Sequence, residues 1–439
     1  MSNLEKIIEE KLNYNISYDV VKRTLNNKMT LYFLSSMADM SFVNEVIKGF
    51  MIKENQILNS AIFIEDNVDK VIEYINSGCL LIQFNNLLYI VETRSYPNRS
   101  ISESESEKSL KGSHDSFTES ILTNTALIRR RIKDDSFKCE LFTIGKSSKT
   151  DVTINYIDSK VNKKLLKHLK KQLNNINVDY LNMSERGLSQ LLFKQNFQIF
   201  PKVRYSERPD IASIQILKGY IVILVDTSSS SIIIPTTFFE LNEQIEEYQL
   251  PSSIATINRF FRIFCVFLGV FLLPIWYILC IDKTSLNSFI LLIDDIDRTT
   301  LFFQIITVSI FLNCIRIASF YSGTLLSTSL SLIASIILSG LAVETGLVHP
   351  EVVFYCCLSL IASYCISNYE TGRAISFWNI ILLISVGLFY KIGFIIASTL
   401  LFLSIVTINN YNIYYLDPFI PFDIKKLLKI LVKLPEKNK

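Results

Sequence analysis

IFCVFLGVFLLPIWYILCI, residues 263 to 281, carries no charged side chain over nineteen positions. A helix of that length is enough to cross a hydrocarbon core of roughly 30 Å. It also marks a change of character. Up to about residue 255 charge and hydrophobicity are mixed, and beyond it long runs follow with almost no charge. Of the 439 residues 49% are hydrophobic and only 19% charged, a balance too apolar for a wholly water-soluble chain. The net charge of +3 supplies no global field to draw in nucleic acid or acidic substrates.

Working outward, at least four spans are predicted: 263 to 281, 301 to 320, 325 to 347 and 352 to 367. Residues 377 to 408 would stretch about 48 Å as one helix, with Lys391 and Gly393 near the middle, so either one long helix or two short legs fit. The crossings number five or six. Arg259 and Arg262 before the first span, and Lys425, Lys426, Lys429 and Lys433 after the last, place both ends on the cytoplasmic side and favour an even count. Trp276, Tyr277 and Trp378 are read as interfacial aromatics, and DIKKLLKILVKLP (423 to 435) as a basic amphipathic tail suited to the inner leaflet. MSNLEKIIEEKLNYN has no apolar signal region, so the first 250 residues are expected in the cytoplasm.

That first part alternates strand-like and helix-like stretches. In residues 1 to 99, MTLYFLSSM (29 to 37) precedes an amphipathic SFVNEVIKGFMI, and CLLIQF (79 to 84) with LLYIVET (87 to 93) forms a hairpin. Residues 100 to 116, SISESESEKSLKGSHDS, have no apolar period and read as a linker. A second lobe, 117 to 250, repeats the grammar: a helix from about 116, strands near 139 to 145 and 151 to 157, a basic helix at 161 to 173 and a hairpin at 219 to 235. The lysines of the basic helix suit a solvated outer face better than a membrane or nucleic-acid surface. The expected fold is thus a two-lobed α/β cytosolic region, an all-α polytopic membrane domain over 251 to 410 and a basic cytoplasmic tail over 411 to 439.

FTESILTNTALIRRRIKDD (117 to 135) begins with a capping-box pattern, Ser116 to Glu119, and offers Phe117, Ile121, Ile128 and Ile132 for burial. Consecutive helical residues turn by about 100°, so Arg129, Arg130 and Arg131 point in three directions and cannot form one flat phosphate site. They are read instead as clamps onto the linker, the neighbouring strands and an adjacent subunit, and no nucleic-acid partner is expected.

No catalytic or metal-binding pattern emerges. The three histidines (His114, His168, His349) are scattered, no G-x-S-x-G or Walker-type loop occurs, and six of eight cysteines lie in apolar segments. Neither an enzyme nor a cofactor is expected. Ser309, Asn313 and Arg316, spaced i, i+4, i+7, make a polar stripe on one face of the 301 to 320 helix. Polar groups at that depth are costly, so the stripe meets a pore or another helix, unless Arg316 snorkels to the interface. Ser327, Ser331, Ser335 and Ser339 form a small-residue ladder for close helix packing, with a hydroxyl-lined pore as the alternative. Glu344 lies near the opposite membrane face from Arg316, and no pair is expected between them.

Several ordered motifs carry a resemblance: TNTALIRRRIKD (123 to 134), SKTDV followed by YI (148 to 157), ERPD (207 to 210), LVD (224 to 226) with P-x-T-F-F-E (235 to 240), AVE-x-GLV-x-P (342 to 350) and YLDPF (415 to 419). Over roughly residues 112 to 424 the chain resembles the A-subunit (GerA) family of spore germinant receptors. The resemblance implies a homo-oligomer forming a ligand-gated ion channel in the spore inner membrane, with a transporter-like B subunit and a lipoprotein C subunit as partners. Family members tend to carry glutamates where this chain has Ser309, Asn313 and Ile317, and glycines where its small-residue ladder has serines. The missing carboxylates motivate one alternative, a non-conducting membrane scaffold of the germination machinery; the related sporulation-stage channel protein is the other. A secondary transporter would show internal inverted symmetry, which is not evident.

Overall fold

The computed structural model describes residues 3–25, 29–52, 62–65, 67–84, 87–95, 112–193, 198–244, 246–282, 293, 296–321, 340, 343–410 and 413–433. The serine ladder at Ser327, Ser331, Ser335 and Ser339, most of its span, and most of the linker lie outside the described residues. The chain divides into two units, residues 1–196 with 203–236 and residues 197–202 with 237–439.

In the first unit, α1 (Asn3–Lys11), β1 (Val20–Leu25), β2 (Met29–Leu34), α2 (Met40–Ile52), β3 (Ile62–Ile64), α3 (Val68–Asn76), β4 (Leu80–Phe84) and β5 (Leu87–Val91) make an antiparallel sheet in the order β1-β2-β4-β5-β3. β2 is buried at every position because helices cover both faces of the sheet. Strand residues alternate sides, so Leu31 and Phe33 pack with Val43 and Val46 of α2, while Tyr32 and Leu34 pack with Ile8 of α1 and Val71 and Ile75 of α3. The hairpin read at 79 to 93 is β4 paired with β5.

The second sheet repeats that plan. α4 (Ile121–Arg129), β6 (Phe137–Ile144), β7 (Thr150–Ile157), α5 (Lys163–Asn175), α6 (Ser184–Phe193), β8 (Arg204–Ser206), α7 (Pro209–Leu217), β9 (Ile221–Val225) and β10 (Ser231–Ile234) give the antiparallel order β6-β7-β9-β10-β8. First, second, fourth, fifth, third is the strand order in both sheets. A helix before the first strand and helices on either side of the third recur as well, so the lobes are one topology used twice.

One local reading is corrected. α4 starts at Ile121, and its cap is the Ser120 hydroxyl, which accepts from the Thr123 N–H at 3.5 Å; the Ser116 to Glu119 box is not used. Ahead of the helix the chain is bound elsewhere, with the Phe117 N–H donating to the Glu207 carbonyl at 2.7 Å. The apolar stripe of Phe117, Ile121, Ile128 and Ile132 is buried.

The second unit is helical: α8 (Phe238–Leu241), α9 (Glu246–Gln249), α10 (Ser252–Asp282), α11 (Arg298–Tyr321), α12 (Pro350–Tyr364), α13 (Tyr369–Val406), the short ribbon β11 (Asn409–Asn410) and β12 (Ile413–Tyr414), and α14 (Ile424–Leu431). Among the described residues α10, α11 and α13 are long and apolar enough to cross a membrane, and α12 is a shorter apolar helix of 15 residues. α13 is broken at Tyr390, whose φ of 54° and ψ of −132° are non-helical. A Cβ at Gly393 would meet the Ser385 carbonyl oxygen at 1.9 Å, so only glycine permits so close an approach beyond the break. The aromatics read as an interfacial belt are core residues. Trp276 packs on Tyr355 with ring centroids 4.6 Å apart, the Tyr277 hydroxyl donates to the Arg298 carbonyl at 3.2 Å, and Trp378 packs with Val270 and Ile375.

Candidate functional site

The three arginines separate at the end of α4. Arg129 is buried and donates from Nε to Asp19 Oδ2 at 2.6 Å and from Nη2 to Oδ1 at 2.8 Å, a bidentate pair. Asp19 lies in the loop before β1, fully buried, and also accepts from the Ser36 hydroxyl at 2.9 Å. The guanidinium stands 5.0 Å from the Phe137 ring centroid. Burial works against the charge on Arg129, but Asp19 outweighs it and raises the arginine pKa above its usual value. Around the pair, the Tyr18 N–H donates to the Cys139 carbonyl at 2.9 Å, and Asn76 Nδ2 donates to Asp135 Oδ1 at 3.0 Å. This is the joint between the two sheets.

Arg131 turns the other way. Its Nη2 donates to both Asp115 oxygens, at 2.7 and 2.6 Å, and to the Ser113 hydroxyl at 3.0 Å. Arg208 of the ERPD motif donates to the Ser113 carbonyl at 2.7 Å and to Asp210 Oδ2 at 2.7 Å, so two sequence motifs meet on residues 113–117. Burial opposes ionisation of Asp115, yet hydrogen bonds from Arg131 and Ser113 hold its carboxyl below the ordinary range. Arg130 caps the C-terminus of α4 and its side chain is exposed.

In the second unit Ser309, Asn313 and Arg316 share the face of α11 that looks into the helical core. Ser309 is buried, with its hydroxyl 3.6 Å from the Cys356 sulfur of α12. Asn313 donates to the Ser309 carbonyl at 2.9 Å. Arg316, 6% exposed, donates from Nη1 to Ser363 at 3.2 Å and to Ser376 of α13 at 2.9 Å, and lies 4.6 Å from the Tyr364 ring centroid. These contacts seat the guanidinium among neighbouring helices. Gly372 makes room for it: a Cβ there would lie 2.9 Å from the Ser363 carbonyl oxygen and 3.5 Å from Arg316 Nη2.

Sequence reasoning missed Asn379. Pro274 has no N–H, so the carbonyl four residues earlier, Val270, loses its helical donor. Asn379 Nδ2 donates to Val270 O at 3.0 Å and to Gly269 O at 2.9 Å. A proline inside a span is the signal from which such a donor is inferred, though not which residue supplies it. Asn379, Ser309, Asn313, Ser359 and Ser376 supply the polar lining of a small cavity of about 20 Å³, enough for one water.

Arg259 and Arg262 face inward as well. Arg259 Nε donates to Glu247 Oε2 at 2.5 Å and its Nη2 to Glu243 at 3.3 Å, and Arg262 pairs with the same buried Glu247. The PTTFFE and YLDPF motifs also meet: the Phe238 N–H donates to the Tyr415 carbonyl at 2.8 Å, and Phe239 stacks on Phe419 with centroids 5.9 Å apart. Among the described residues no group of acidic, histidine and cysteine side chains has metal-holding geometry.

Taken together, two like-folded α/β lobes and an apolar helical unit with a buried polar face define a membrane protein of mixed architecture. The chain belongs to the GerA family: the family model described as Bacillus/Clostridium GerA spore germination protein matches residues 3–439. It is 31% identical to stage V sporulation protein AF of Bacillus subtilis (strain 168), over 98% of this chain and 91% of that protein. Spore germination protein A1 of the same organism is 26% identical, over 99% of this chain and 93% of its own length, and spore germination protein KA is 23% identical, over 98% and 84%. Among solved structures, the N-terminal domain of the A subunit of the Bacillus megaterium spore germinant receptor GerK3 matches at 27% identity and a TM-score of 0.39, covering 53% of this chain and 94% of that domain.

Proposed function

We propose that this chain is an A-type subunit of the spore germination machinery that assembles with copies of itself in the spore inner membrane and conducts ions. Both ends face the cytoplasm, and a transporter-like B subunit and a lipoprotein C subunit supply the germinant signal. The observation that carries the reading is the α11 face of Ser309, Asn313 and Arg316, a polar seam kept inside an apolar bundle despite its insertion cost. Without carboxylates at 309, 313 and 317, cation attraction falls to hydroxyl and amide oxygens.

The test is reconstitution of the purified full chain into liposomes with ion flux recorded. Flux confined to the oligomeric fraction is expected. Absence of conductance in every oligomeric form, with partner binding retained, would leave the non-conducting scaffold instead. The 31% identity to stage V sporulation protein AF, against 23 to 26% for the two germination proteins, favours the sporulation-stage version of this role. A deletion strain that responds normally to nutrients but mishandles ions during sporulation is the corresponding result.

A further inference from the structure

The first three turns of α10 have their polarity turned inside out. Arg259 and Arg262 are directed inward onto Glu247, while Ile257, Phe260, Phe261 and Phe264 are all more than half exposed. A helix in water would present its arginines and bury its phenylalanines. The exposed apolar face runs on without a break into the charge-free stretch that begins at Ile263, so this segment meets lipid before the span proper.

α14 is tied to that same segment. Arg259 Nη1 donates to the Ile430 carbonyl at 2.5 Å, and the Lys433 N–H donates to the Thr256 hydroxyl at 3.1 Å. No residue of α14 is buried. At 100° per residue Leu427, Ile430 and Leu431 form the half-covered flank, Ile424 and Leu428 an exposed apolar flank, and Lys425 and Lys429 the edge beside it. Phe419 and Phe422, just ahead of the helix, are exposed too. The nearby acids are engaged: Asp423 caps α14 through the Lys425 and Lys426 N–H groups, and Asp417 stands 4.0 Å from Lys426 Nζ.

We propose that α14, with Phe419 and Phe422, is a half-inserted collar that binds the anionic lipid interface beside α10. Its apolar flank enters the acyl boundary, and its lysines stay at the headgroup phosphates. An exposed phenylalanine pair, a lysine edge and a hydrogen-bonded attachment to a lipid-facing helix together select a lipid surface over a second protein.

The test places a reporter tryptophan in the full chain, as F422W or L428W, in vesicles of brominated phosphatidylcholine or brominated phosphatidylglycerol. The added emission over wild type is read, because native Trp276 and Trp378 are buried. F261W on α10 is the companion reporter. Quenching of all three by brominated lipid is expected, at least twofold stronger in phosphatidylglycerol for the α14 reporters, with that preference lost in K425E/K426E/K429E. Acrylamide quenching of the α14 reporters without lipid quenching would overturn the collar. Shielding from both quenchers would overturn it in favour of a second copy or a protein partner, and an unquenched F261W would overturn the lipid-facing reading of α10.

Discussion

Arg129 in the first unit and Arg316 in the second are both more than nine-tenths buried, yet they are held by different chemistry. Arg129 meets a buried carboxylate at two points, a closed ion pair in which each partner would be stranded without the other. Among the described residues Arg316 meets the Ser363 and Ser376 hydroxyls and the Tyr364 and Tyr369 rings. The first arrangement fixes two lobes together. The second holds a guanidinium against Ser376, which also lines the small cavity. The difference teaches where the chain is built to be rigid and where it can be tuned.

Breaking the lobe joint should have the largest effect. Asp19→Ala strands the Arg129 charge and is expected to cost about 3–5 kcal/mol, read as a lowered unfolding midpoint of the purified chain. Asp19→Leu with Arg129→Met should recover much of that loss. Arg316→Ala is expected to cost less, roughly 2–3 kcal/mol from a desolvated cation–π contact and membrane hydrogen bonds. Lysine at 316 keeps the charge and should restore only part, because it lacks the planar group that stacks on Tyr364. Steric-trapping unfolding in bicelles measures both.

Asn379→Leu leaves the Val270 carbonyl without its donor and should cost about 1–2 kcal/mol. Pro274→Ala supplies a helical N–H to that carbonyl, so the cost of Asn379→Leu should shrink in its presence. A cycle with no coupling would remove the proline-clamp explanation. The smallest effect belongs to Asp115, which is partly exposed and screened. Its carboxyl is depressed in the folded chain, so its contribution is present above the unfolded value near 3.9 and is lost as pH falls through the lower folded value. Asp115→Asn should cost about 1 kcal/mol or less at pH 7 and flatten the acid limb of the stability curve.

Much of this was legible where the signal is local. The β2 strand, the β4–β5 hairpin and the charge-free core of α10 follow from period and composition. The break at Tyr390 lies next to Lys391 and Gly393, which mark the middle of the 377 to 408 stretch. What failed was long-range or degenerate. Ser116 and Ser120 both begin plausible caps, and the choice is made by the backbone bond from Phe117 to Glu207, far away in sequence. Asp19 and Arg129 are 110 residues apart, and nothing near either names the other. α7 is buried on most sides, so its sequence shows no amphipathic period to mark it as a helix. Trp276 reads as an interface residue by type and is a core residue by position.

Conduction through the α11 polar seam is tested most directly by ion flux from liposomes holding Asn313→Leu, at the same amount and oligomeric state as the wild-type chain. Flux should fall at least tenfold while the assembly persists, and wild-type flux from the variant would contradict a conducting role for the seam.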